Sequence, residues 1–189
     1  MGCHKYELSI IVPVYNGENF IEGFLDNIRT QQLLATELIF VDDGSKDKTV
    51  EKIKQLKEKD EKIRMLSFSR NFGKEAAMYA GLCEASGDYV SIVDADLQQR
   101  PEVLLEMYNT LIKDDSYDCV AAYQEVRSEG FVLKFFKDAF YKLINKISDT
   151  EIVDGARDYR LMTRQMVNSI LDLKEHNRFS KGIFSWVGY

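Results

Sequence analysis

The sequence predicts an α/β fold: a mostly parallel sheet flanked by helices on both faces. Three observations carry this expectation. Short apolar runs alternate four times with segments whose apolar residues recur at helical spacing. The runs are unbroken by polar residues, as strands covered on both faces are. A polar cluster follows each of the first four: "PVYNGE", "DDGS", "SRNFGK" and "DADLQ".

Residues 8–14, "LSIIVPV", read as the first strand, and "YNGEN" as a turn. Phe20, Ile21, Phe24, Leu25 and Ile28 mark a helix. The second strand is "LIFV" (38–41), stopped by Asp42-Asp43-Gly44-Ser45. Ser45 or Asp47 suits the cap of the next helix, which carries Val50, Ile53 and Leu56 on one side. Residues 63–68 form a third strand, ahead of a small-residue helix with Ala76, Ala77, Ala80 and Gly81. Residues 89–93 form a fourth, and Pro101 opens a helix through Leu111. A fifth strand spans 118–123, and Val132, Phe135, Phe136, Phe140, Leu143 and Ile147 form the stripe of a later helix. From about 150 onward the alternation fades and the chain reads as irregular. It stops abruptly after Trp186-Val187-Gly188-Tyr189, the pattern expected of a single domain truncated at its C-terminus.

The 189 residues suit one domain with a sizeable core. Net charge is −6, which argues against sequence-independent nucleic-acid binding. An acidic chain with an anionic ligand needs a metal or a local basic patch. The three cysteines are odd in number, widely separated and without CxxC spacing, as in a reducing compartment. No apolar run reaches the 18 or more residues of a membrane span.

In an open parallel sheet, ligands bind beyond the carboxyl ends of the strands. The four polar clusters converge there, so that rim is the expected site. Asp94 and Asp96 share a side if strand geometry persists. Two carboxylates held close repel unless a cation bridges them, and oxygen ligands suit Mg²⁺ or Mn²⁺, which complete their shells from substrate phosphates. Gln98 adds a neutral oxygen. The same pair also fits a helix N-cap, with Asp96 ahead of "LQQRPE". Asp42 and Asp43 are ordinary turn chemistry or an acceptor for the N–H groups of a base. Tyr15 is a stacking surface or a half-buried aromatic, and Arg70 and Lys74 neutralise phosphate or sit on a solvated loop. The absence of GxGxxG after the first strand disfavours a dinucleotide enzyme, and no GxxxxGK[ST] is present. A Ser-His-Asp hydrolase lacks its GxSxG elbow.

Five motifs in order, "SIIVPVYNGENFI", "LIFVDDGSKDKT", "FSRNFGKEAAMYAGLCEASGDYVSIVDADLQQRPE", "DGARDYRLMTR" and "RFSKGIFSWVGY", resemble family 2 glycosyltransferases. The nearest branch is similar to the bacterial relatives of dolichol-phosphate mannose synthase, which move a sugar onto polyprenyl phosphate. The resemblance runs from about residue 7 to the last residue. It implies a GT-A (Rossmann-like) fold, a nucleotide-diphosphate-sugar donor and Mn²⁺ or Mg²⁺ at Asp94-Ala95-Asp96, assisted by Gln98. Pro13, Tyr15, Glu18, Asp43 and Lys74 would line the donor site. Asp158, in "DYRLM", falls where the family places its catalytic carboxylate. Arg127, Arg160, Arg178 and Lys181 would serve the phosphates or the acceptor.

The resemblance also implies work at the cytoplasmic face of a membrane, with further helices in longer relatives. Self-association into a homo-oligomer is compatible with it. "YQEVRSEG" departs from the family pattern by offering only Arg127, with Glu125 close by, where relatives tend to carry two basic residues. Two other functions stay open: a saccharide acceptor in polysaccharide synthesis, and a non-catalytic nucleotide-binding module.

Overall fold

Strand β1 (Leu8–Val14) is central because consecutive apolar residues leave neither of its faces to water: Ile10, Ile11 and Val12 are fully buried. The computed structural model describes residues 6–31, 36–96, 101–114, 116–123, 156–173, 183–184 and 187. Parallel neighbours flank β1, namely β2 (Thr36–Asp42) on one side and β4 (Tyr89–Ile92) on the other. β3 (Ile63–Ser67) extends the parallel set beyond β2. On the far side of β4 lies β6 (Ala156–Thr163), antiparallel to β4 and to the edge strand β5 (Cys119–Tyr123). The sheet order is β3-β2-β1-β4-β6-β5.

Five helices among the described residues cover the sheet: α1 (Ile21–Thr30), α2 (Thr49–Lys59), α3 (Lys74–Glu84), α4 (Pro101–Leu111) and α5 (Arg164–Asp172). The two-residue period of β1 divides the core. Leu8, Ile10 and Val12 pack with Phe24, Leu25, Ile53, Leu104 and Met107, the apolar stripes of α1, α2 and α4. Ile11 turns the other way, to Ala77, Met78 and Leu82 of α3 and Met166 and Val167 of α5. The chain steps outward from β1 through β2 to β3, then returns to β4 on the other side of β1. Right-handed crossovers put α1 and α2 on one face and move α3 to the other when that direction reverses. Small residues let α3 lie close: a Cβ added at Gly81 would meet Ile11 Cγ2 at 2.2 Å. Each fully buried Leu, Ile or Phe contributes about 1.5–3 kcal/mol.

The mostly parallel sheet with helices on both faces is therefore as expected, and Pro101 does open α4. The reading of residues beyond 150 as irregular is corrected, since residues 156–172 form β6 and α5. Arg157, Asp158 and Arg160 interrupt the apolar run of β6, and its antiparallel insertion between two strands has no signature in local periodicity. The helix expected over Val132–Ile147 lies outside the described residues. Among the described residues no helix is long and apolar enough to cross a membrane.

Candidate functional site at the sheet's switch point

The reversal of strand order between β1 and β4 opens a crevice at their carboxyl ends, the position at which α/β sheets bind ligands. Four loops wall it, and hydrogen bonds between them fix its shape.

After β1 the chain turns at Asn16, which takes a left-handed φ of 50°. Its backbone N–H donates to Ser45 Oγ at 2.8 Å, and its side-chain Oδ1 accepts from the Lys46 N–H at 2.9 Å. Gly17 N–H donates to Thr49 Oγ1 at 2.8 Å, and Glu18 N–H to Asp47 Oδ2 at 3.2 Å. Glu18 returns the contact, accepting from the Lys48 N–H at 2.9 Å. The N-cap of α2 is Lys48, which makes no side-chain cap bond, so neither Ser45 nor Asp47 is the cap expected from the sequence. Asp47 accepts from the Thr49 N–H at 3.0 Å, Glu18 from the Lys48 N–H just ahead of it, and Ser45 serves the neighbouring loop. Glu18, expected at the donor, is thus directed to a helix end in this structure.

The two aspartates at the end of β2, Asp42 its last residue and Asp43 the one after, are almost wholly buried. Asp42 accepts from the Ser45 N–H at 3.1 Å and the Ser67 hydroxyl at 2.8 Å. Asp43 accepts from the backbone N–H of Phe72 at 2.7 Å and of Gly73 at 2.9 Å. Backbone donors of this kind let a carboxylate stay charged inside a fold. Here they clamp the 70–73 segment against β2. Gly44 makes the approach possible: it has φ +73°, and a Cβ there would sit 2.5 Å from the Arg70 carbonyl carbon.

Lys74 opens α3 directly after that clamp, and its ammonium lies 2.8 Å from Asp94 Oδ1 and 3.0 Å from Oδ2. Asp94 follows β4, whose line continues as far as the Val93 N–H bonded to the Ile11 carbonyl at 2.9 Å. The strand does not persist through Asp96: residues 95 and 96 turn, Ala95 is buried in the core and Asp96 is exposed. Asp96 is not the N-cap of α4 either, since that helix begins at Pro101.

The result is a cleft of about 270 Å³ lined by Pro13, Val14, Tyr15, Asp43, Asn71, Gly73, Lys74, Ala77 and Asp94. Pro13, Tyr15, Asp43, Lys74 and Asp94 were expected there; Asn71 and Gly73 were not singled out, although "SRNFGK" marked their segment. Tyr15 and Phe72 are half exposed at the rim, and the Arg70 guanidinium carbon lies 4.3 Å from the Phe72 ring centroid. Among the described residues no three His, Cys, Asp or Glu side chains cluster as a metal site.

Asp158 stands in β6, and its position follows from direction. β6 runs antiparallel to β4 with Arg160 opposite Ile92, so residues before Arg160 lie toward the end of β4 that bears the cleft. Arg160 itself, expected at the phosphates or the acceptor, is only 6% exposed. Its guanidinium carbon lies 3.8 Å from the Phe184 ring centroid, so its charge is used inside the fold. Burial pushes the neighbouring Cys119 thiol above its ordinary value, an effect that Arg160 opposes. Gln98, Arg127, Arg178 and Lys181 lie outside the described residues.

Residues 9–171 match the model of the glycosyl transferase family 2 domain. A bactoprenol glucosyl transferase of Shigella phage SfV is 43% identical over 189 residues, covering 96% of this chain and 60% of the relative. The chain thus spans less than two thirds of that relative's length. Among solved structures, S. aureus TarS 1-349 in complex with UDP-GlcNAc is similar with a TM-score of 0.64 at 22% identity, over 97% of this chain and 53% of that one. The mannosyltransferase PcManGT from Pyrobaculum calidifontis, in complex with GDP-Man and Mn²⁺, is similar with a TM-score of 0.62 at 24% identity, over 88% and 47%. Both neighbours have the GT-A fold, and so does this chain. With its six-stranded sheet and its cleft at the switch point, the chain belongs to glycosyl transferase family 2.

Proposed function

We propose that the chain is the catalytic domain of a metal-dependent inverting glycosyltransferase that moves a sugar from a nucleotide-diphosphate sugar to polyprenyl phosphate. The observation that carries the reading is the cleft, which gathers an aromatic face, a buried aspartate, a lysine and the first carboxylate of Asp94-Ala95-Asp96 at one strand end. The bactoprenol glucosyl transferase relative supports the polyprenyl acceptor and, with it, work linked to a membrane.

Pro13 and Tyr15 border the nucleoside, with Tyr15 offering a ring to stack on. Asp43 holds the 70–73 segment in place and has lone pairs left for a base N–H. Asp94 and Asp96 would hold the divalent cation, with Gln98 assisting. Their carboxylate oxygens are the hard donors such an ion takes, and both oxygens of Asp94 already contact a cation, the Lys74 ammonium. Bound there, the ion supplies Lewis-acid stabilisation of the diphosphate leaving group. Asp158, on the strand beside β4, would serve the acceptor. A phosphate monoester has a second pKa of about 6 and arrives mostly ionised, so Asp158 positions the acceptor instead of removing a proton. Arg127, Arg178 and Lys181 would supply positive charge for the acceptor phosphate, whereas Arg160 is engaged within the core.

Calorimetric titration of UDP and of GDP, each with Mn²⁺ and with EDTA, tests the donor site. One nucleotide binds in Mn²⁺ and is lost in EDTA, and Asp94→Asn lowers its affinity at least ~30-fold, the size of a lost charged contact. Absence of binding by a folded sample, or binding indifferent to EDTA and to Asp94→Asn, sinks the reading.

A further inference from the structure

We infer that Lys74 is a latch on Asp94: its ammonium holds the carboxylate until a divalent cation replaces it, then turns to the donor's diphosphate, so that cation and nucleotide bind cooperatively. The inference deepens the proposed nucleotide-sugar site and rests on it.

The pair is two-pronged, with Nζ within 3.0 Å of both Asp94 oxygens, and both residues line the same cleft. Neither is sealed away, the Lys74 side chain being 41% exposed and that of Asp94 30%. The backbone beneath Lys74 is fixed, because Gly73 donates to Asp43 and accepts from the Ala77 N–H at 3.2 Å. A fixed root with a four-carbon stem lets the charge move a few ångströms while the helix stays still.

A divalent ion on the same carboxylate would sit at roughly 2.1 Å from an oxygen. Two cations that close repel, and Asp94 cannot give its full charge to both. Once displaced, the ammonium stays in the cleft beside Asp43, whose oxygens already accept two N–H groups. An incoming diphosphate then offers it a doubly charged anionic partner in the same cleft. Before ligands arrive, the same pair keeps Asp94 compensated in an acidic chain of net charge −6.

A latch makes a prediction of opposite signs. A lysine that only contacts diphosphate leaves binding of the ion alone untouched, and a merely structural ion pair weakens everything when removed. Mn²⁺ binding to the 189-residue chain without nucleotide, read by electron paramagnetic resonance, separates these cases. Lys74→Met binds Mn²⁺ alone about tenfold more tightly than wild type, and binds nucleotide with Mn²⁺ about tenfold more weakly. Lys74→Arg, which keeps the charge, binds Mn²⁺ alone no more tightly than wild type, and circular dichroism checks that all three proteins are folded. Mn²⁺ affinity of Lys74→Met at or below wild type, with nucleotide binding intact in wild type, overturns the latch and leaves the donor reading standing. Absence of nucleotide binding by all three folded proteins overturns both.

Discussion

Asp43 illustrates how one residue serves shape before chemistry. Its two oxygens take the Phe72 and Gly73 N–H groups, and Lys74 follows immediately in the chain. Asparagine at this position has the same outline but turns one acceptor into a donor, facing an N–H with an NH₂. Asp43→Asn is therefore expected to cost about 1–3 kcal/mol in urea denaturation. It should also weaken nucleotide binding by misplacing Lys74. Wild-type stability in that variant would refute the clamp. The sequence identified Asp43 as a candidate without its partners, because the donors lie 29 and 30 positions away.

At the scale of elements, the two ends of the sheet do different work. The carboxyl ends open into the cleft, whereas the amino ends are locked by a buried acid. Glu37, in β2, is fully buried and accepts from the Ser9 hydroxyl at 2.6 Å, the Ser86 N–H at 2.8 Å and Arg64 Nη1 at 3.2 Å. Arg164 likewise donates to the Gly87 carbonyl at this end, away from the cleft. Burial by itself would raise the Glu37 pKa, but the hydrogen bonds from Ser9, Ser86 and Arg64 outweigh it and hold the carboxyl below its ordinary 4.5. A group depressed in the folded state stabilises above its unfolded value and loses that contribution as pH falls through the folded one. Unfolding free energy is therefore expected to decline below pH 4.5, and Glu37→Gln to flatten part of that decline while costing about 1–3 kcal/mol at pH 7. Identical pH slopes for the two proteins, in urea melts at pH 7 and pH 4, would count against this role.

Over the whole molecule, ligand and fold are linked, because the cleft is built from loops after β1, β2, β3 and β4. A nucleotide that binds only the folded chain, at one hundred times its Kd, adds about 2.7 kcal/mol. For a domain of this size that corresponds to a rise in Tm of about 5–10 °C. A thermal melt with nucleotide and Mn²⁺ against one with EDTA measures it. Equal melting temperatures would remove support for a donor site spanning the four loops.

Local pattern determined much of this protein. Unbroken apolar runs and helical stripes set β1 to β5 and α1 to α4, and the polar clusters named the rim, because burial periodicity and turn chemistry are short-range properties. Tertiary structure alone decided four things. It inserted β6 antiparallel between β4 and β5, which brings Asp158 toward the cleft's side of the sheet from 64 positions beyond Asp94. It withdrew Arg160 beneath Phe184 and directed Glu18 to the start of α2. It paired Lys74 with Asp94 across 20 positions. Each depends on which strands become neighbours, and strand pairing is chosen by the packing of the whole core, which no window of sequence contains.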